Sequence, residues 1–221
     1  MIPLLASVRE VVVIGAHCDD IAIGMGGTLF ELCAAVPDLR VRALVLTGAG
    51  TPREDEERAA LSALLPGADL EITVLDFRDG RLPADWDKVK DAVALFARTA
   101  DPDVVFAPNR SDAHQDHRLL AEVAPTEFRD HLILGYEILK WETDTPAPSV
   151  FLPFGPDTAE HKRRILLEHY PSQHAHDWFG DGDSFVALSR LRGVQCRAPH
   201  AEAFILEKAT LTFTKELTCV S

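Results

Sequence analysis

A run of β-branched residues near the N-terminus restricts the fold more than any other feature of this sequence. The run Val11–Ile14 shows no alternation of apolar and polar side chains, which predicts a strand buried on both faces, as in a parallel sheet covered by helices. The sequence GAHCDD follows. Ligands of such sheets bind at the carboxyl ends of the strands, where turns lead into helices. We therefore expect His17, Asp19 and Asp20 to lie at a ligand-binding edge.

Three glycines, Gly24, Gly26 and Gly27, follow this motif. They predict a tight turn that brings the backbone close to a bound group, before a helix that begins near Gly27. The spacing excludes a dinucleotide site, because that site would need a third small residue at Leu29 and an acid at the end of the next strand. A simpler alternative is a solvated turn in which the two aspartates only cap the helix.

The rest of the chain alternates between strand and helix patterns. Periodicity predicts strands over 41–46, 70–75, 104–107 and 132–139, and helices over 53–65, 86–100, 118–123, 158–170 and 184–192. Residues 201–206 read as a strand or a terminal extension. This order predicts the α/β class, with a Rossmann-like three-layer sandwich built on a mostly parallel sheet. We expect one domain over 1–221, in which a proline-rich region at about 137–185 shapes a substrate pocket.

Charge and cysteine content narrow the functional classes. The net charge is −13, from 35 acidic and 22 basic residues, which opposes binding to nucleic acid or to anionic membranes. No apolar run of membrane-spanning length and no secretory signal is apparent, so we expect a cytoplasmic protein. The four cysteines form no CxxC pair, which argues against disulfides and a thiolate zinc site. The sequence leaves a homo-oligomer open.

A second polar cluster follows the fourth predicted strand. The sequence APNRSDAHQDH places His114, Asp116 and His117 on a turn into a helix. His114 and His117 are three residues apart and can share one helix face, with Asp116 near enough to orient a ring. The alternative is a surface capping segment. Two strand tips that both carry His and Asp favour a shared site.

These two motifs together resemble the signature motifs of the LmbE-like, or PIG-L, family of zinc-dependent N-acetylglucosamine deacetylases. The family patterns are Ala-His-Pro-Asp-Asp-Glu and a later His-x-Asp-His. Shorter segments that also resemble this family are Asp79-Gly80, Ser172-Gln173 and 201–204. Cys18 stands where the family usually has proline, and Ile21 where it usually has glutamate. Neither position is a metal ligand of the family, so both departures concern the subgroup and the substrate.

The resemblance implies a role for each polar residue. His17, Asp20 and His117 would bind Zn²⁺ or another divalent metal, and a nitrogen and oxygen ligand set suits a hydrolytic site. Asp19 would be the general base. His114, held by Asp116, would stabilise the oxyanion or protonate the departing amine. We expect Cys18 to be a buried thiol outside the coordination sphere.

The reaction implied is hydrolysis of an N-acyl group, most simply the N-acetyl of a small amino sugar, to give acetate and a free amine. Arg53, Tyr136, Trp141 and Gln173 are the candidate substrate-binding residues, although Arg53 alternatively reads as an exposed helix charge and the aromatic residues as core. Two other histidines, at 174 and 176, form a third polar cluster of open role. The alternative functions are a metal-dependent phosphoesterase and a non-catalytic sugar-binding module.

Overall fold

The computed structural model describes residues 8–210. Within this range seven strands and six α-helices alternate along most of the chain, with short 3₁₀ turns at 82–85 and 171–173. The elements are β1 (Glu10–Gly15), α1 (Asp20–Ala35), β2 (Arg40–Thr47), α2 (Pro52–Leu64), β3 (Asp69–Phe77), α3 (Trp86–Ala97), β4 (Val104–Pro108), α4 (Gln115–Glu127), β5 (Leu132–Tyr136), β6 (Val150–Phe154), α5 (Pro156–His169), α6 (Asp183–Cys196) and β7 (His200–Lys208).

All seven strands form one sheet in the order β3-β2-β1-β4-β5-β7-β6. Strands β1 to β5 are parallel, and β7 pairs antiparallel with both β5 and β6. The predicted α/β class and mostly parallel sheet are therefore confirmed. The chain runs from β1 outward to β3 and then returns to β4 on the other side of β1. This reversal opens a crevice beside the carboxyl ends of β1 and β4, the usual ligand position in open α/β sheets.

Strand β1 lies inside the sheet, between β2 and β4, and is buried on both faces. Val11 and Val13 pack into one apolar core with helices α1, α2, α5 and α6, whereas Val12 and Ile14 pack into a second core with α3 and α4. All four side chains have no exposed surface. Burying one such side chain contributes about 1.5 to 3 kcal/mol. The unalternated β-branched run therefore predicted the two helical layers correctly.

The glycines after the first motif have a different role from the one their spacing suggested. Helix α1 begins at Asp20 rather than near Gly27, so all three glycines lie within its range, on either side of a kink at Met25 whose φ and ψ angles are not helical. A Cβ atom on Gly24 would lie 2.3 Å from a ring carbon of Tyr136, and one on Gly27 would lie 2.9 Å from the ring of Phe154. These glycines thus allow α1 to pack closely against the sheet, and they do not form a turn around a ligand.

The proline-rich region contains one strand that the sequence concealed. Strand β6 is an edge strand of the sheet, and a proline such as Pro153 is tolerated there because one side of the strand has no neighbour. Pro156 occupies the first turn of α5, where a helix lacks N–H partners anyway. The predicted strand over 132–139 ends at Tyr136. Among the described residues, no helix is both long enough and apolar enough to cross a membrane.

Candidate active site

A cavity of about 290 Å³ opens at the carboxyl ends of β1 and β4. Its floor contains both sequence motifs, which the parallel strands bring to the same edge. The floor residues are His17, Asp19, Asp20, His114 and His117, and the walls include Ile23, Arg53, Asp79, Lys140, Trp141, Gln173, His176 and Trp178.

Three side chains in the floor have the spacing of a metal site. The Nδ1 atom of His17 lies 3.1 Å from Nε2 of His117, and these atoms lie 3.5 Å and 3.2 Å from the two carboxylate oxygens of Asp20. Ligands about 2.0 to 2.2 Å from a tetrahedral zinc ion are about 3.3 to 3.5 Å apart. The donor set, two nitrogens and one carboxylate, therefore fits a hydrolytic zinc or a similar divalent cation.

Two other groups of three potential ligands also converge on His17. One contains His114 and His117, and the other contains Asp79 and Asp116. We favour the group with Asp20 because its carboxylate is buried, whereas the Asp79 side chain is 62% exposed. Both oxygens of Asp116 accept backbone N–H groups, whereas only one oxygen of Asp20 does.

The Asp20 carboxylate fixes the turn that carries the first motif. Its Oδ2 atom accepts hydrogen bonds from the backbone N–H groups of Ala16 (2.9 Å) and His17 (2.8 Å). Its other oxygen, Oδ1, faces His117. Asp20 also lies in the first turn of α1, where the helix dipole favours a negative charge. One oxygen therefore holds the backbone and the other is directed at the ligand site.

Electrostatic interactions in the floor favour charged side chains. Burial alone would raise the pKa of Asp20, but His117 and His17 hold it well below its ordinary value. Burial alone would lower the pKa of both histidines, but Asp20 and neighbouring carboxylates raise that of His17 well above its ordinary value and that of His117 to about 9. The buried charges therefore compensate one another, and a divalent cation bound there would replace the protons on the two imidazoles, because histidine binds metal through its neutral ring.

Asp19 points away from its neighbour Asp20 because of an unusual backbone conformation. Its φ angle is +138°, in a region that non-glycine residues rarely adopt and that is often associated with functional sites. The carboxylate is buried and lies 2.9 Å from the Arg53 guanidinium. Burial raises the pKa of Asp19, while Arg53 opposes that shift. Arg53 also donates to the carbonyl of Cys18, so it holds this turn from the α2 side.

The second motif begins helix α4 and places His114 at the floor of the cavity. His114 is the N-cap of α4, and its Nδ1 atom accepts a hydrogen bond from the backbone N–H of Asp116 (3.3 Å). Burial lowers the pKa of His114, and the adjacent His117 and His17 lower it further. A neutral ring that accepts at Nδ1 carries its proton on Nε2. His114 is thus a hydrogen-bond donor at the cavity.

Asp116 orients a different histidine from the one predicted. Its carboxylate accepts hydrogen bonds from the backbone N–H groups of Gly80 (2.8 Å) and Leu82 (3.1 Å) and lies 3.2 Å from Nε2 of His17. The contact with His114 is made only by the Asp116 backbone. The carboxylate therefore positions the ring of His17 and connects the site to the loop after β3.

Sequence reasoning missed two further acids in the site. The buried Asp112 has Oδ1 3.0 Å from Nδ1 of His117 and Oδ2 2.9 Å from Nζ of Lys140. The His117 contact lies outside hydrogen-bond geometry and acts through charge. Asp79, 3.1 Å from Nε2 of His17, lines the cavity wall. Two features of the sequence could have indicated these acids. The segment Asp79-Gly80 resembles the family, and Asp112 is only two residues from His114.

Three of the four predicted substrate-binding residues line the cavity. Arg53 and Gln173 lie in its walls, and Trp141 lies there with 66% of its surface exposed. Tyr136 does not reach the cavity. It is fully buried against α1, and its hydroxyl donates a 2.6 Å hydrogen bond to the carbonyl of Ile14. Tyr136 thus belongs to the core, which was the alternative reading of this residue.

Aromatic side chains form one side of the cavity mouth. The ring of Trp141 meets those of His176 and Trp178 edge to face, at centroid distances of 5.1 Å and 6.0 Å. His174 does not line the cavity, and its Nε2 atom lies 2.9 Å from the carbonyl of Leu167. Of the third polar cluster, only His176 is therefore available to a ligand.

Two buried interactions hold the walls in place. The ion pair between Arg192 and Glu137, with N···O distances of 2.6 and 2.8 Å, anchors the start of the segment that carries Trp141. On the opposite wall, the Tyr170 hydroxyl donates to the buried Glu57 carboxylate of α2 (2.6 Å). Tyr170 immediately precedes the turn that contains Gln173. The rigid helices α2 and α6 thus determine where these segments lie.

Cys18 and Ile21, the two departures from the family pattern, are both buried. The Cys18 thiol donates to the carbonyl of Thr47 (3.4 Å), and burial raises its pKa well above its ordinary value. This placement agrees with the prediction of a packed thiol. Cys18, Cys33 and Cys196 are free, and Cys219 lies outside the described residues.

Both motifs lie in a region that matches a known protein family. The family model described as GlcNAc-PI de-N-acetylase (PIG-L) matches residues 12–126, a range that contains both motifs. The chain is also 32% identical over 164 residues to the uncharacterized deacetylase YaiS of Escherichia coli (strain K12), covering 69% of this chain and 81% of that protein.

Solved structures share the fold at lower identity. The N,N'-diacetylchitobiose deacetylase from Pyrococcus horikoshii is 22% identical, with a TM-score of 0.70 over 90% of this chain and 84% of that one. The conserved protein TT1542 from Thermus thermophilus is 24% identical, with a TM-score of 0.70 over 95% and 100%. The hydratase GalB from Pseudomonas putida KT2440 is 16% identical, with a TM-score of 0.72 over 94% and 100%. The fold by itself therefore does not determine the reaction.

Proposed function

Since the chain belongs to the GlcNAc-PI de-N-acetylase (PIG-L) family, we propose that it is a metal-dependent hydrolase. The reaction proposed is removal of the N-acetyl group from an amino sugar or an amino-sugar conjugate, which gives acetate and a free amine. We propose one deacetylase domain for the whole chain, with Zn²⁺ as the metal. YaiS is described as a deacetylase, and the Pyrococcus horikoshii enzyme as a deacetylase of N,N'-diacetylchitobiose.

The observation that carries this proposal is the convergence of His17, Asp20 and His117 beside Asp19. Nδ1 of His17 and Oδ1 of Asp20 lie 3.1 Å and 3.2 Å from Nε2 of His117, and the Asp19 carboxylate is paired with Arg53 instead. A divalent metal bound there would act as a Lewis acid toward the acyl carbonyl and would acidify water. A buried carboxylate next to such a metal is suited to remove a proton from the attacking water.

His114 is the proposed hydrogen-bond donor to the oxyanion that forms in the reaction. Because its Nδ1 accepts from the Asp116 backbone N–H, its proton lies on Nε2. That proton can stabilise the developing oxyanion by a hydrogen bond, while the proton that Asp19 takes from water can pass from Asp19 to the departing amine. Asp19 thus supplies the proton transfers, and His114 supplies the stabilisation of charge, that amide hydrolysis needs.

The walls of the cavity fit a neutral sugar. Arg53 and Asp79 provide a donor and an acceptor for hydroxyl groups, and the Trp141 indole is free to stack on a ring face. Arg53 is paired with Asp19, and Lys140 with Asp112 and Asp144. Carboxylates therefore compensate the positive charge of Arg53 and of Lys140, which disfavours an anionic phosphate and with it the phosphoesterase alternative.

The presence of both Asp19 and His114 in the cavity argues against a non-catalytic sugar-binding module. Asp19 is held in a strained conformation and buried. A protein that only binds sugar gains nothing from this arrangement, whereas catalysis requires it.

The test is acetate release from a panel of N-acetylated sugars, with metal analysis of the same protein. We expect about one zinc or similar ion per chain and acetate release that chelation abolishes. Asp19→Asn is expected to lower the rate of acetate release by about 10² to 10⁴, with the exposed Asp91→Asn of α3 as a matched control. Acetate release at an unchanged rate after Asp19→Asn, or a protein that binds no metal, would contradict the proposal.

A further inference from the structure

Helix α1 is kinked near its N-terminal end, where two side chains from other elements enter it. At the kink, Met25 has φ and ψ angles of −149° and 21°, which are not helical. In a regular α-helix the N–H of Gly27 would donate to the carbonyl of Ile23, four residues earlier. Here the Nζ atom of Lys162 donates to that carbonyl (2.6 Å), and the Gly27 N–H donates to Oε1 of Glu202 (2.9 Å). A side chain that enters the helical hydrogen-bond ladder in this way bends the helix.

The two inserted side chains form a buried ion pair. Lys162 belongs to α5 and Glu202 to β7, and their Nζ and Oε1 atoms are 2.6 Å apart. The second carboxylate oxygen, Oε2 of Glu202, accepts from the N–H of Thr28 (2.6 Å). The cation thus lies at the carbonyl end of the segment before the kink, and the anion at the N–H end of the segment after it. Each charge is the one that the helix dipole favours at that position.

Stability by itself is a weak reason for this ion pair. Removing two charges from water costs free energy that their mutual attraction often only balances. The glycines of α1 make the arrangement possible, because a Cβ atom on Gly27 would lie 3.2 Å from Oε1 of Glu202 and 2.9 Å from the ring of Phe154. The structure therefore accommodates a bend in α1 that a regular helix would not need.

The bend separates the part of α1 that serves the active site from the part that serves the core. The segment 27–35 packs with α2 and α5. The segment 20–24 begins with Asp20, whose Oδ1 atom faces His117, and it also contains Ile23, which lines the active-site cavity. The angle at the kink therefore sets the direction of the first segment relative to a fixed core.

We propose that Lys162 and Glu202 are positioning residues of the active site, which direct the Asp20 carboxylate at His117 by holding the kink of α1. Neither residue is among the described side chains that line the active-site cavity, so both act through the helix. Without the pair, the Ile23 carbonyl and the Gly27 N–H are free to bond each other, and α1 straightens. This inference rests on the proposed function in one respect, the assignment of Asp20 as a metal ligand.

The first test is zinc affinity, measured by competition with a chromophoric chelator in protein that circular dichroism shows to be folded. Lys162→Met removes the cation at similar length, and Glu202→Gln presents an NH₂ group to partners that are themselves donors. Both should lower zinc affinity about 10- to 100-fold, as loss of a residue that orients a ligand does. The control is Arg192→Met, because it breaks the other buried ion pair, with Glu137, beside the same small polar cavity. It should lower the urea midpoint but keep the zinc affinity.

The second test needs no metal. The backbone N–H groups of Ala16 and His17 donate to Oδ2 of Asp20, so their hydrogen exchange, followed by NMR in metal-free protein, reports where that carboxylate lies. In both variants these two amides should exchange at least about tenfold faster relative to the amides of β2, which report global unfolding. In Arg192→Met the ratio should be unchanged.

The two tests separate this inference from the proposed function. Wild-type protein that binds no zinc would refute the metal-dependent function alone, and the exchange ratio would still decide the positioning role. Three results would overturn that role. They are an unchanged exchange ratio in both variants, a loss of zinc affinity in Arg192→Met as large as theirs, and failure of both variants to fold, which would assign the pair to stability.

Discussion

The two adjacent aspartates of the first motif should respond differently to the same substitution. Asp19→Asn and Asp20→Asn each replace a carboxylate with an amide of the same shape. The Asp20 oxygen Oδ2 accepts both backbone hydrogen bonds of the turn, while Oδ1 faces His117. In the Asp20→Asn protein the amide oxygen can take the place of Oδ2 and preserve the turn. The NH₂ group then faces the ligand site, where it can donate but cannot bind a cation.

This geometry sets the size of the effect on metal binding. Removal of a residue that only orients a ligand costs about 10- to 100-fold in metal affinity. Asp20 is assigned as a ligand itself, so Asp20→Asn should lower metal affinity by more than about 100-fold. Because the turn keeps its two backbone hydrogen bonds, the protein should remain folded.

Asp19→Asn should act on turnover alone. The Asp19 carboxylate contacts Arg53 but lies outside the group of ligand atoms, so metal content should be unchanged. Loss of a positioned general base lowers kcat by about 10² to 10⁴, which corresponds to about 3 to 5 kcal/mol of transition-state stabilisation. Arg53 keeps its hydrogen bond to the Cys18 carbonyl, so the effect on folding should be small.

The assay is metal content after dialysis against limiting zinc, with steady-state kinetics and circular dichroism on both variants. Asp91→Asn, on the exposed surface of α3, controls for the loss of one negative charge. Metal lost from Asp19→Asn but kept by Asp20→Asn would show that the roles are exchanged. Full metal content and full kcat in both variants would refute the assignment of the site.

Three further outcomes are expected. Asp112→Asn removes the carboxylate beside the ring of His117, one of the proposed metal ligands, and should weaken zinc affinity about 10- to 100-fold in a metal titration. The control is Asp144→Asn, because Asp144 has in common with Asp112 only the contact with Lys140. This control should keep the affinity for zinc. Gly24→Ala forces a methyl group against a fully buried tyrosine ring and should lower the free energy of unfolding by about 1 to 3 kcal/mol in urea, while Gly26→Ala, whose nearest neighbour is a leucine methyl at 3.3 Å, should cost less. Burial raises the pKa of Glu57 to about 8, so between about pH 4.5 and pH 8 the folded state holds one more proton than the unfolded state. The free energy of unfolding therefore falls as pH rises through this window, by up to about 1.4 kcal/mol per pH unit. Glu57→Gln should flatten that slope in urea unfolding at about pH 5.5 and pH 7.5, and an unchanged slope would contradict the assignment.

The sequence by itself determined the sheet, its layers and the edge at which the polar residues meet. The β-branched run of β1 is apolar at every position, so only a strand covered on both faces can bury it. Each polar motif follows directly after a buried strand, and parallel strands bring their carboxyl ends to one edge. These are consequences of local order along the chain, which is why the sequence alone predicted that the two motifs meet, whereas the choice of His17, Asp20 and His117 among their residues came from the resemblance to the family.

Only the tertiary structure decided which side chains meet and which are merely near in sequence. Asp116 is two residues from His114, yet its carboxylate contacts His17, because the loop after β3 supplies the N–H groups that hold it. Tyr136 is at a strand end like the site residues, but the close approach of Gly24 encloses it in the core. The direction of a side chain at a strand tip depends on neighbours distant in sequence, and periodicity carries no information about them. The register shift by which β3 gains one residue over β2 is a feature of the same kind, since register exists only between paired strands.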